Sequence, residues 1–330
     1  MRTIRWGIIG VGDVTEIKSG PGFRKARNSA LVAVMRRDGA KAADYARRHG
    51  VPRWYDEAAA LVHDPAVDAV YIATPPHVHR QYTELAAAAR KPVYVEKPMA
   101  RTADECRAMI AACAAHGVPL WVAYYRRAQP RYLKVKSLLD SGAIGDVRSV
   151  HAELYQPPAA FDPARLPWRV IPEIAGGGLF VDLASHTLDL LDYFLGPIRR
   201  VQGIAVNQMG LYPAEDHVVT AIEFESGVPG TGVWCFTADR DADETTITGT
   251  RGRITFATFA EAPVRVFTSS GCEEFVIPRP EHVQQPLIQT MVDELNGEGV
   301  CPATAEAGLR TAAVIDHALW EYRAASQKTS

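Results

Sequence analysis

Two glycines, Gly10 and Gly12, directly follow an apolar run at Arg5–Ile9. Glycines at such a point permit a tight turn, and they let a pyrophosphate approach the backbone amides that open the next helix. Thr15 stands where the third glycine or alanine of a G-x-G-x-x-G motif is expected. Because the flanking residues predict a strand followed by a helix, we interpret the pair as a dinucleotide-binding turn.

Asp13 and Val14 complete this turn and are included among the predicted cofactor-binding residues. The charge of Asp13 would oppose a phosphate if the side chain pointed inward. The alternative is that Asp13 caps the next helix, with Glu16 in the reciprocal position. Pro21-Gly22 predicts that this helix is interrupted soon after it begins.

The end of the second predicted strand indicates which dinucleotide binds. An NAD-specific site places an acid there, about 20–25 residues after the glycines, to accept the ribose hydroxyls. Arg36 occupies that place and Arg37 follows it. Since guanidinium groups suit a 2′-phosphate through charge and bidentate hydrogen bonds, we expect NADP in preference to NAD. The alternative is that both arginines are solvated and that Asp38 binds the ribose.

A further candidate loop follows the apolar run Tyr71–Ala73, at the edge of a parallel sheet where ligands bind. It begins with Thr74 and Pro75, and His77 and His79 alternate after them. Zinc would need further ligands at suitable spacing, and the sequence offers none. We therefore expect no metal site, and we assign Thr74, Pro75 and His79 to the cofactor loop or to its support.

Glu96 and Lys97 stand at the end of another predicted strand, followed by Pro98. A lysine at the ligand crevice can polarise a carbonyl group or stabilise a developing alkoxide. Desolvation and neighbouring groups would set its charge. The alternative, an exposed ion pair, does not explain the proline that fixes the backbone beside it.

Three glycines at 176–178 open a predicted helix that Gly196 closes. Four polar residues fall on one face of this helix, at positions i, i+4, i+7 and i+11: Asp182, His186, Asp189 and Tyr193. A histidine flanked by carboxylates on one helical face is an acid/base candidate, because the acids orient it and raise its pKa. A single histidine on a helix is more often structural, and the triple-glycine turn favours the functional role here.

The composition limits the class of protein that carries these residues. A length of 330 residues predicts roughly two domains. Thirty-six basic and 38 acidic residues give a net charge of −2, which argues against nucleic-acid binding and gives no reason to expect an anionic membrane partner. No apolar run reaches the ~18 residues of a membrane-spanning helix.

Targeting and redox features predict a cytoplasmic protein. The first twelve residues are basic and then apolar, but they lack the long apolar segment and the cleavage site of a signal peptide. The five cysteines are odd in number and contain no C-x-x-C pair. We therefore expect reduced thiols and no disulfide or zinc framework.

The first half of the chain alternates apolar runs with helix-like segments, which is the βαβ pattern of a parallel sheet. The predicted strands are Arg5–Ile9, Leu31–Met35, Ala69–Ala73, Pro92–Val95 and Leu120–Ala123. The predicted helices are Lys41–His49, Gln81–Arg90 and Ala103–His116, the last with a capping box formed by Thr102 and Glu105. Nearly continuous apolar strands of this type are covered by helices on both faces.

The alternation of strands and helices gives way near residue 145 to strands joined mostly by turns. We place the domain boundary at Ala123. The predicted strands of the second half are Val147–Leu154, Arg199–Val206, Val218–Phe224, Gly230–Thr237, Thr245–Thr250, Ile254–Phe259 and Val264–Thr268. Turns, not helices, join most of them, so we expect a mainly antiparallel sheet. The predicted helices of this half are Phe180–Leu195, Pro286–Leu295 and Ala305–Ala325.

Taken together, these motifs resemble the Gfo/Idh/MocA family of oxidoreductases, named for glucose–fructose oxidoreductase and inositol dehydrogenase. The resemblance covers nearly the whole length and rests on motifs that occur in the family's order. They are Gly10 and Gly12, Ala73-Thr74-Pro75, Glu96-Lys97-Pro98, Trp168-Arg169, the glycine-to-Gly196 helix, and Gly308-Leu309-Arg310. The resemblance implies a doubly wound Rossmann domain at 1–123, and at 124–330 an α+β domain with a large open sheet for substrate binding and oligomerisation.

The resemblance also implies a reaction: hydride transfer between NADP or NAD and a carbinol or carbonyl carbon of a sugar, polyol, cyclitol or related small molecule. It makes Lys97 the catalytic lysine, makes Glu96 a cofactor-side carboxylate, and completes the site with Asp182 and His186. His186 would exchange the hydroxyl proton while Asp182 holds the imidazole. Thr15 and Arg36 depart from the family pattern, which affects cofactor choice and not the fold.

The candidate substrate-binding residues are Tyr124, Arg126, Trp168 and Arg169, together with Asp182 and His186. Trp168 could stack on a sugar ring, although core packing explains it equally well. Two alternatives stay open: an NAD-dependent glycoside hydrolase of the same fold, and a ligand-sensing regulator without catalysis. We expect a homodimer or homotetramer, because the second sheet has too few helices to cover both faces.

Overall fold

The computed structural model describes residues 1–326 of the chain. They form two compact units, each discontinuous in sequence. The first unit contains Met1–Gln129 and Pro280–Leu309, and the second contains Pro130–Arg279 and the residues from Arg310 onward. This division differs from the boundary expected at Ala123, since residues 280–309 belong to the first unit.

The elements of both units follow one another in this order. The strands are β1 (Ile4–Ile9), β2 (Ser29–Met35), β3 (Arg53–Tyr55), β4 (Ala69–Ile72), β5 (Val93–Val95), β6 (Leu120–Val122), β7 (Val147–Tyr155), β8 (Ile198–Val206), β9 (His217–Phe224), β10 (Pro229–Cys235), β11 (Ala242–Gly249), β12 (Gly252–Phe256), β13 (Val264–Thr268) and β14 (Gly271–Phe275). The helices are α1 (Asp13–Ile17), α2 (Gly20–Lys25), α3 (Gly39–His49), α4 (Ala58–Val62), α5 (His79–Ala88), α6 (Ala103–Ala115), α7 (Pro130–Asp140), α8 (Pro172–Ala175), α9 (Leu179–Leu195), α10 (Gln285–Leu295), α11 (Ala305–Ala318) and α12 (Trp320–Ser326).

The first unit contains a six-stranded parallel sheet in the order β3-β2-β1-β4-β5-β6. The five predicted strands and the predicted doubly wound topology are confirmed. The strand order reverses direction between β1 and β4, and ligands of such sheets bind outside the carboxyl ends of the strands at that point. Strand β3 was not predicted, because Arg53 and Trp54 are exposed and give no buried apolar run.

Four large aromatic side chains lie in the core of this unit beside the central strands. Trp6, Phe23, Tyr71 and Tyr94 are all fully buried. The rings of Tyr71 and Tyr94 stack with centroids 4.8 Å apart, and Phe23 lies 5.3 Å from Tyr71. Pairs at these distances add to the free energy gained from burial. The core thereby fixes the positions of β4 and β5, from which two of the candidate loops emerge.

The helices after β1 and β5 test two sequence predictions. The predicted interruption at Pro21-Gly22 is confirmed, because the short α1 ends and α2 begins with Pro21 in its first turn. Thr102 caps α6 by accepting a hydrogen bond from the Glu105 amide at 3.3 Å. The Glu105 carboxylate binds the Arg101 amide instead of completing the capping box.

The second unit contains an eight-stranded sheet in the order β14-β13-β12-β11-β7-β10-β9-β8. Every neighbouring pair is antiparallel except β7 and β10, so the predicted mainly antiparallel sheet is confirmed. Strand β14 was not predicted, because its sequence is polar and its side chains are mostly exposed. The predicted helix Ala305–Ala325 divides at Leu319 into α11 and α12.

Helix α9 lies against one face of this sheet and contributes to two core clusters. Leu190 and Phe194 belong to one cluster with β9, β11 and β12, while Phe180 and Leu188 belong to the other. Side chains on the opposite face of β8 and β9, such as Ile204, remain exposed. Within residues 1–326, no helix is both long and apolar enough to cross a membrane.

Candidate active site

The glycine turn after β1 is held against two neighbouring segments. The amides of Gly10 and Val11 donate to the Met35 carbonyl at 2.9 and 3.2 Å, which ties the turn to the end of β2. Gly10 has φ +95°, and a Cβ there would lie 2.6 Å from Thr74 Cγ2. Both the conformation and the close approach therefore require glycine at position 10.

Helix α1 is capped by Thr15, and the alternative in which Asp13 and Glu16 form the cap is wrong. The Thr15 hydroxyl accepts from the Gly12 amide at 3.0 Å and donates to the Gly12 carbonyl at 2.8 Å. Asp13 is the first residue of α1 with an exposed side chain, and Glu16 pairs with Arg48 at 2.7 Å. A hydroxyl three residues after the turn can reach back to its backbone, which explains why this position is not glycine.

Two features of the turn fit a bound dinucleotide. Among the described residues, no atom lies within 4 Å of the place that a Cβ at Gly12 would occupy. The Thr74 hydroxyl oxygen is buried, and none of the residues that the structure describes forms a hydrogen bond with it. Open space at one glycine and an unsatisfied hydroxyl beside the other suit phosphate or ribose oxygens. Val14 is half-buried at the start of α1.

Arg36 lies beside the glycine turn, directly after β2. Its Nη1 donates to the Val11 carbonyl at 3.2 Å, and the side chain is half-buried, whereas Arg37 is exposed. Asp38 caps α3 by accepting from the Lys41 amide at 3.2 Å, and this bond lowers the pKa of the Asp38 carboxyl. The Asp38 carboxylate is thus engaged by its own helix, while Arg36 contacts the turn.

His79 connects the loops that follow β4 and β5. The ring is fully buried, with Nε2 2.7 Å from the Thr74 carbonyl and Nδ1 3.1 Å from the Met99 carbonyl. Burial lowers the pKa of this imidazole. Both ring nitrogens face protein carbonyl groups, so His79 supports the two loops. In the loop after β4, Pro75 is half-buried and His77 is exposed.

Glu96 is a buried carboxylate at the end of β5 that accepts three hydrogen bonds. They come from the Tyr71 hydroxyl, from Gln284 Nε2 at 2.6 Å, and from the Lys97 amide at 3.1 Å. Tyr94 donates to Gln284 Oε1 at 2.8 Å and orients its amide. Burial and the charge of Glu96 raise the pKa of Tyr71 well above its usual value, which keeps this hydroxyl a donor. Sequence reasoning did not find Gln284, because nothing marks its distant segment as part of this unit.

Lys97 follows Glu96 with a half-buried side chain, at the same edge of the sheet as the glycine turn. Tyr124 and Arg126 follow β6 at this edge and belong to the first unit. Both are buried, and Arg126 Nη1 donates to the Tyr125 hydroxyl at 3.2 Å. The structure therefore brings the predicted cofactor residues to the carboxyl ends of β1, β2, β4 and β5, where parallel sheets of this type bind ligands.

In the second unit, α9 begins at the glycines and ends before Gly196 as predicted. A Cβ at Gly178 would lie 2.7 Å from the Glu215 carbonyl oxygen, so the segment around Glu215 requires a glycine here. The Gly178 amide donates to Glu215 Oε1 at 2.7 Å. Burial raises the pKa of Glu215 to about 7, although this hydrogen bond and Arg323 oppose the shift. Glu215 was not predicted; the signal available was two adjacent acids, Glu215 and Asp216, entering a buried strand.

Trp168, Arg169 and Asp182 form one cluster near the start of α9. Arg169 Nε lies 3.4 Å from Asp182 Oδ2, and the guanidinium carbon lies 4.5 Å from the centre of the Trp168 ring. The Asp182 side chain is 14% exposed and Arg169 is 46% exposed. The tryptophan thus contacts a partly exposed charged pair, which is a suitable surface for a polar ligand.

His186 lies one turn further along α9 and is buried. Its ring meets that of Phe259 edge to face, with centroids 5.9 Å apart. Asp189 in the next turn is also buried. Beyond it, Arg310 holds the last turn of α9 through two hydrogen bonds to the buried Asp192, at 2.6 and 2.8 Å. The helix that carries Asp182 and His186 is therefore fixed at both ends.

Comparison with known proteins gives matches to both units. Residues 4–124 match the family model described as an oxidoreductase family with an NAD-binding Rossmann fold. Residues 132–255 match the GFO/IDH/MocA C-terminal domain. These matches define an NAD-binding oxidoreductase. The chain belongs to the Gfo/Idh/MocA family, so the resemblance drawn from the motifs is confirmed.

Individual relatives align with nearly the full length of this chain. The chain is 40% identical over 317 residues to Oxidoreductase P35 of Formosa agariphila, covering 95% of this chain and 97% of that protein. It is 28% identical to 1,5-anhydro-D-fructose reductase of Ensifer adhaerens, with 92% of each covered. The structure is similar to levoglucosan dehydrogenase in complex with NADH and levoglucosan, with a TM-score of 0.84, 25% identity, and coverage of 96% and 98%.

Proposed function

We propose that this oxidoreductase transfers a hydride between a nicotinamide dinucleotide and a carbinol or carbonyl carbon of a sugar, polyol, cyclitol or related small molecule. The observation that carries the proposal is the hydrogen-bonded Glu96, which holds the Lys97 amide at the carboxyl edge of the parallel sheet. The names of two relatives, an anhydrofructose reductase and a levoglucosan dehydrogenase, support the substrate class.

The first unit supplies the cofactor site in this proposal. Gly10, Gly12 and the Thr74 hydroxyl receive the dinucleotide at the turn, with Asp13 and Val14 beside it and Pro75 shaping the adjoining loop. His79 holds that loop through its two carbonyl contacts. When bound, the cofactor supplies or accepts the hydride. The role of Glu96 is to fix the backbone on which Lys97 stands.

Arg36 carries the proposed preference for NADP over NAD. Its guanidinium is anchored on the carbonyl of the glycine turn, and Asp38 is engaged as a helix cap. The acid that would repel a 2′-phosphate is therefore held by its own helix, and a guanidinium stands beside the turn. Arg37, which is exposed, can pair with the same phosphate or lie over the adenine.

Three residues carry the proposed proton and charge chemistry. Lys97 stabilises negative charge on the substrate oxygen, and His186 exchanges the hydroxyl proton. Asp182 orients the His186 imidazole from one turn earlier on α9. The proposed substrate contacts are Tyr124, Arg126, Trp168 and Arg169, with the Trp168 ring against the sugar and the Arg169 guanidinium on its hydroxyls.

A substrate panel tests the proposal. The purified protein is mixed with sugars, cyclitols, diols and ketones, with NADPH, NADP⁺, NADH or NAD⁺, and absorbance is followed at the nicotinamide band. We expect turnover with at least one polyhydroxyl compound that requires added cofactor. Glycosides are incubated separately with the protein alone, and release of the free sugar without added cofactor would instead indicate the hydrolase alternative. Ligand binding without turnover of any compound would indicate the regulator.

A further inference from the structure

The loop of residues 258–260 follows β12 in the second unit, and one carboxylate binds all three of its backbone amides. The backbone amides of Thr258, Phe259 and Ala260 all donate to Asp243, at 3.0, 2.6 and 2.7 Å. A carboxylate that accepts three consecutive amides fixes their orientation more strongly than neutral acceptors would. The 258–260 loop is therefore anchored to β11.

The carbonyl groups of the 258–260 loop are satisfied by side chains as well. Their donors are the Tyr132 hydroxyl to Thr258 at 2.7 Å, Arg279 Nη2 to Phe259 at 2.5 Å, and Arg131 Nη1 to Ala260 at 2.6 Å. Four side chains thus bind all six backbone polar groups of three residues. A connecting loop does not need this many anchors, which indicates that the position of its side chains matters.

The 258–260 loop contacts α9 at His186. The Phe259 and His186 rings meet at an interplanar angle of 74°, and Thr258 Oγ1 lies 3.4 Å from Thr187 Oγ1 on the same helix. Phe259 also packs against the core cluster that contains Phe180 and Leu188. The Phe259 ring therefore borders the imidazole on one side, and the Asp243 carboxylate holds the backbone of Phe259 in place.

We propose that Phe259 is a positioning residue for His186 and that Asp243 acts through Phe259. This inference rests on the proposed role of His186 in proton transfer. An imidazole with room to rotate spends less time in the orientation that reaches the substrate hydroxyl, and small misplacements of catalytic groups cost large factors in rate. The phenyl ring removes that room on one side of the imidazole.

A double-mutant cycle tests the proposal. Phe259→Ala is expected to lower kcat by about tenfold while KM for the dinucleotide stays unchanged, and Phe259→Tyr should restore most of the loss. In a His186→Ala background, Phe259→Ala should cost nothing further, because a positioning residue has no effect once its target is absent. Equal losses in both backgrounds would overturn the proposal.

Asp243→Asn extends the cycle to the anchor, with Glu244→Gln on the same strand as the matched control. We expect Asp243→Asn to lower kcat less than Phe259→Ala does, and again only when His186 is present, whereas Glu244→Gln should leave kcat unchanged. A loss from Asp243→Asn that persists in the His186→Ala background would contradict the role assigned to this carboxylate.

A readout without turnover keeps the proposal separate from the proposed function. The imidazole proton resonances of His186 can be assigned by their absence in His186→Ala. They should shift in Phe259→Ala because the neighbouring ring current is lost, while melting temperature shows that the variant remains folded. An unmoved resonance would overturn the proposal. If the resonance shifts in Phe259→Ala but the wild type shows no cofactor-dependent turnover, the proposed function is refuted and the contact between Phe259 and His186 stands.

Discussion

Gln284 donates a hydrogen bond to the buried carboxylate of Glu96 at 2.6 Å, although 188 residues separate the two in sequence. Gln284 is itself fully buried, and its carbonyl oxygen accepts from Tyr94. The segment that contains Gln284 is thereby part of the first unit. The carboxylate beside Lys97 depends on a residue far from every motif that marks the site.

Replacing Gln284 with leucine should destabilise the protein by about 1–3 kcal/mol, because the variant leaves a buried carboxylate with one donor fewer. The free energy of unfolding in urea measures the effect. Gln81→Leu, at an exposed position on α5, is the matched control and should change it little. Equal midpoints for the two variants would show that the Gln284 hydrogen bond does not stabilise the protein.

Arg36→Ala should weaken NADPH binding and leave NADH binding nearly unchanged. A charge-assisted contact to a 2′-phosphate is worth ~1.5–3 kcal/mol, or roughly ten- to a hundredfold in affinity. The measurement is the ratio of the two dissociation constants in wild type and variant. We expect the wild type to favour NADPH. A ratio near one, or one that the variant leaves unchanged, would mean that Arg36 does not read the phosphate.

Much of the first unit was predictable, because its strands are continuous apolar runs and its loops carry motif residues. Gly10, Thr74 and Lys97 all lie at the strand ends where the sequence predicted them. The alternative in which Asp13 caps α1 is wrong, because Thr15 has that role. The sequence does not indicate which of the two side chains turns toward the backbone. That choice depends on which side chain can reach the Gly12 amide.

The second unit was harder to predict where contacts join distant segments. The glycines before α9 were recognised as a helix start, but their close approach to Glu215 was not, because it depends on how β9 passes the helix. The anchoring of Phe259 by Asp243 likewise joins two strands through a carboxylate that resembles any surface acid in sequence. Periodicity predicts elements; it does not predict which buried polar groups meet.

The buried carboxyl of Glu215 should make stability depend on pH. Its pKa of about 7, against a usual 4.5, means that the folded protein holds a proton between these values that the unfolded chain has released. The free energy of unfolding therefore falls as pH rises through this window, by up to about 3 kcal/mol. Asp216 raises this pKa further, Arg323 opposes the shift, and the pKa values of the neighbouring Tyr212 and Tyr322 are themselves raised.

Glu215→Gln removes this titration. The stability of the variant relative to wild type should therefore increase as the pH is raised from 5 to 8. Urea unfolding at both pH values measures the difference, and the exposed Glu244→Gln provides the control. A difference between variant and wild type that is the same at both pH values would contradict the buried titration.

We expect the exposed face of the second sheet to form an interface with another copy of the chain. Ile204 on β8 is 72% exposed, and its antiparallel partner Val219 on β9 is 38% exposed. Apolar side chains grouped on an open sheet face favour association. Light scattering at micromolar concentration should give a dimer or tetramer, and Ile204→Asp should lower that mass, whereas Val276→Asp, exposed after β14, should not. A monomer mass for the wild type would refute this.

Transfer of an isotope label shows whether hydride passes between nicotinamide and substrate with the help of Lys97 and His186. NADPH deuterated at the transferred position is mixed with the carbonyl form of a substrate from the panel, and mass spectrometry follows the label. Deuterium should appear on the product carbon. Lys97→Ala and His186→Ala should each slow this transfer by ~100-fold or more with dinucleotide affinity retained. Lys136→Ala and His116→Ala should match wild type. Label released into water, or near-normal transfer in either Lys97→Ala or His186→Ala, would contradict this mechanism.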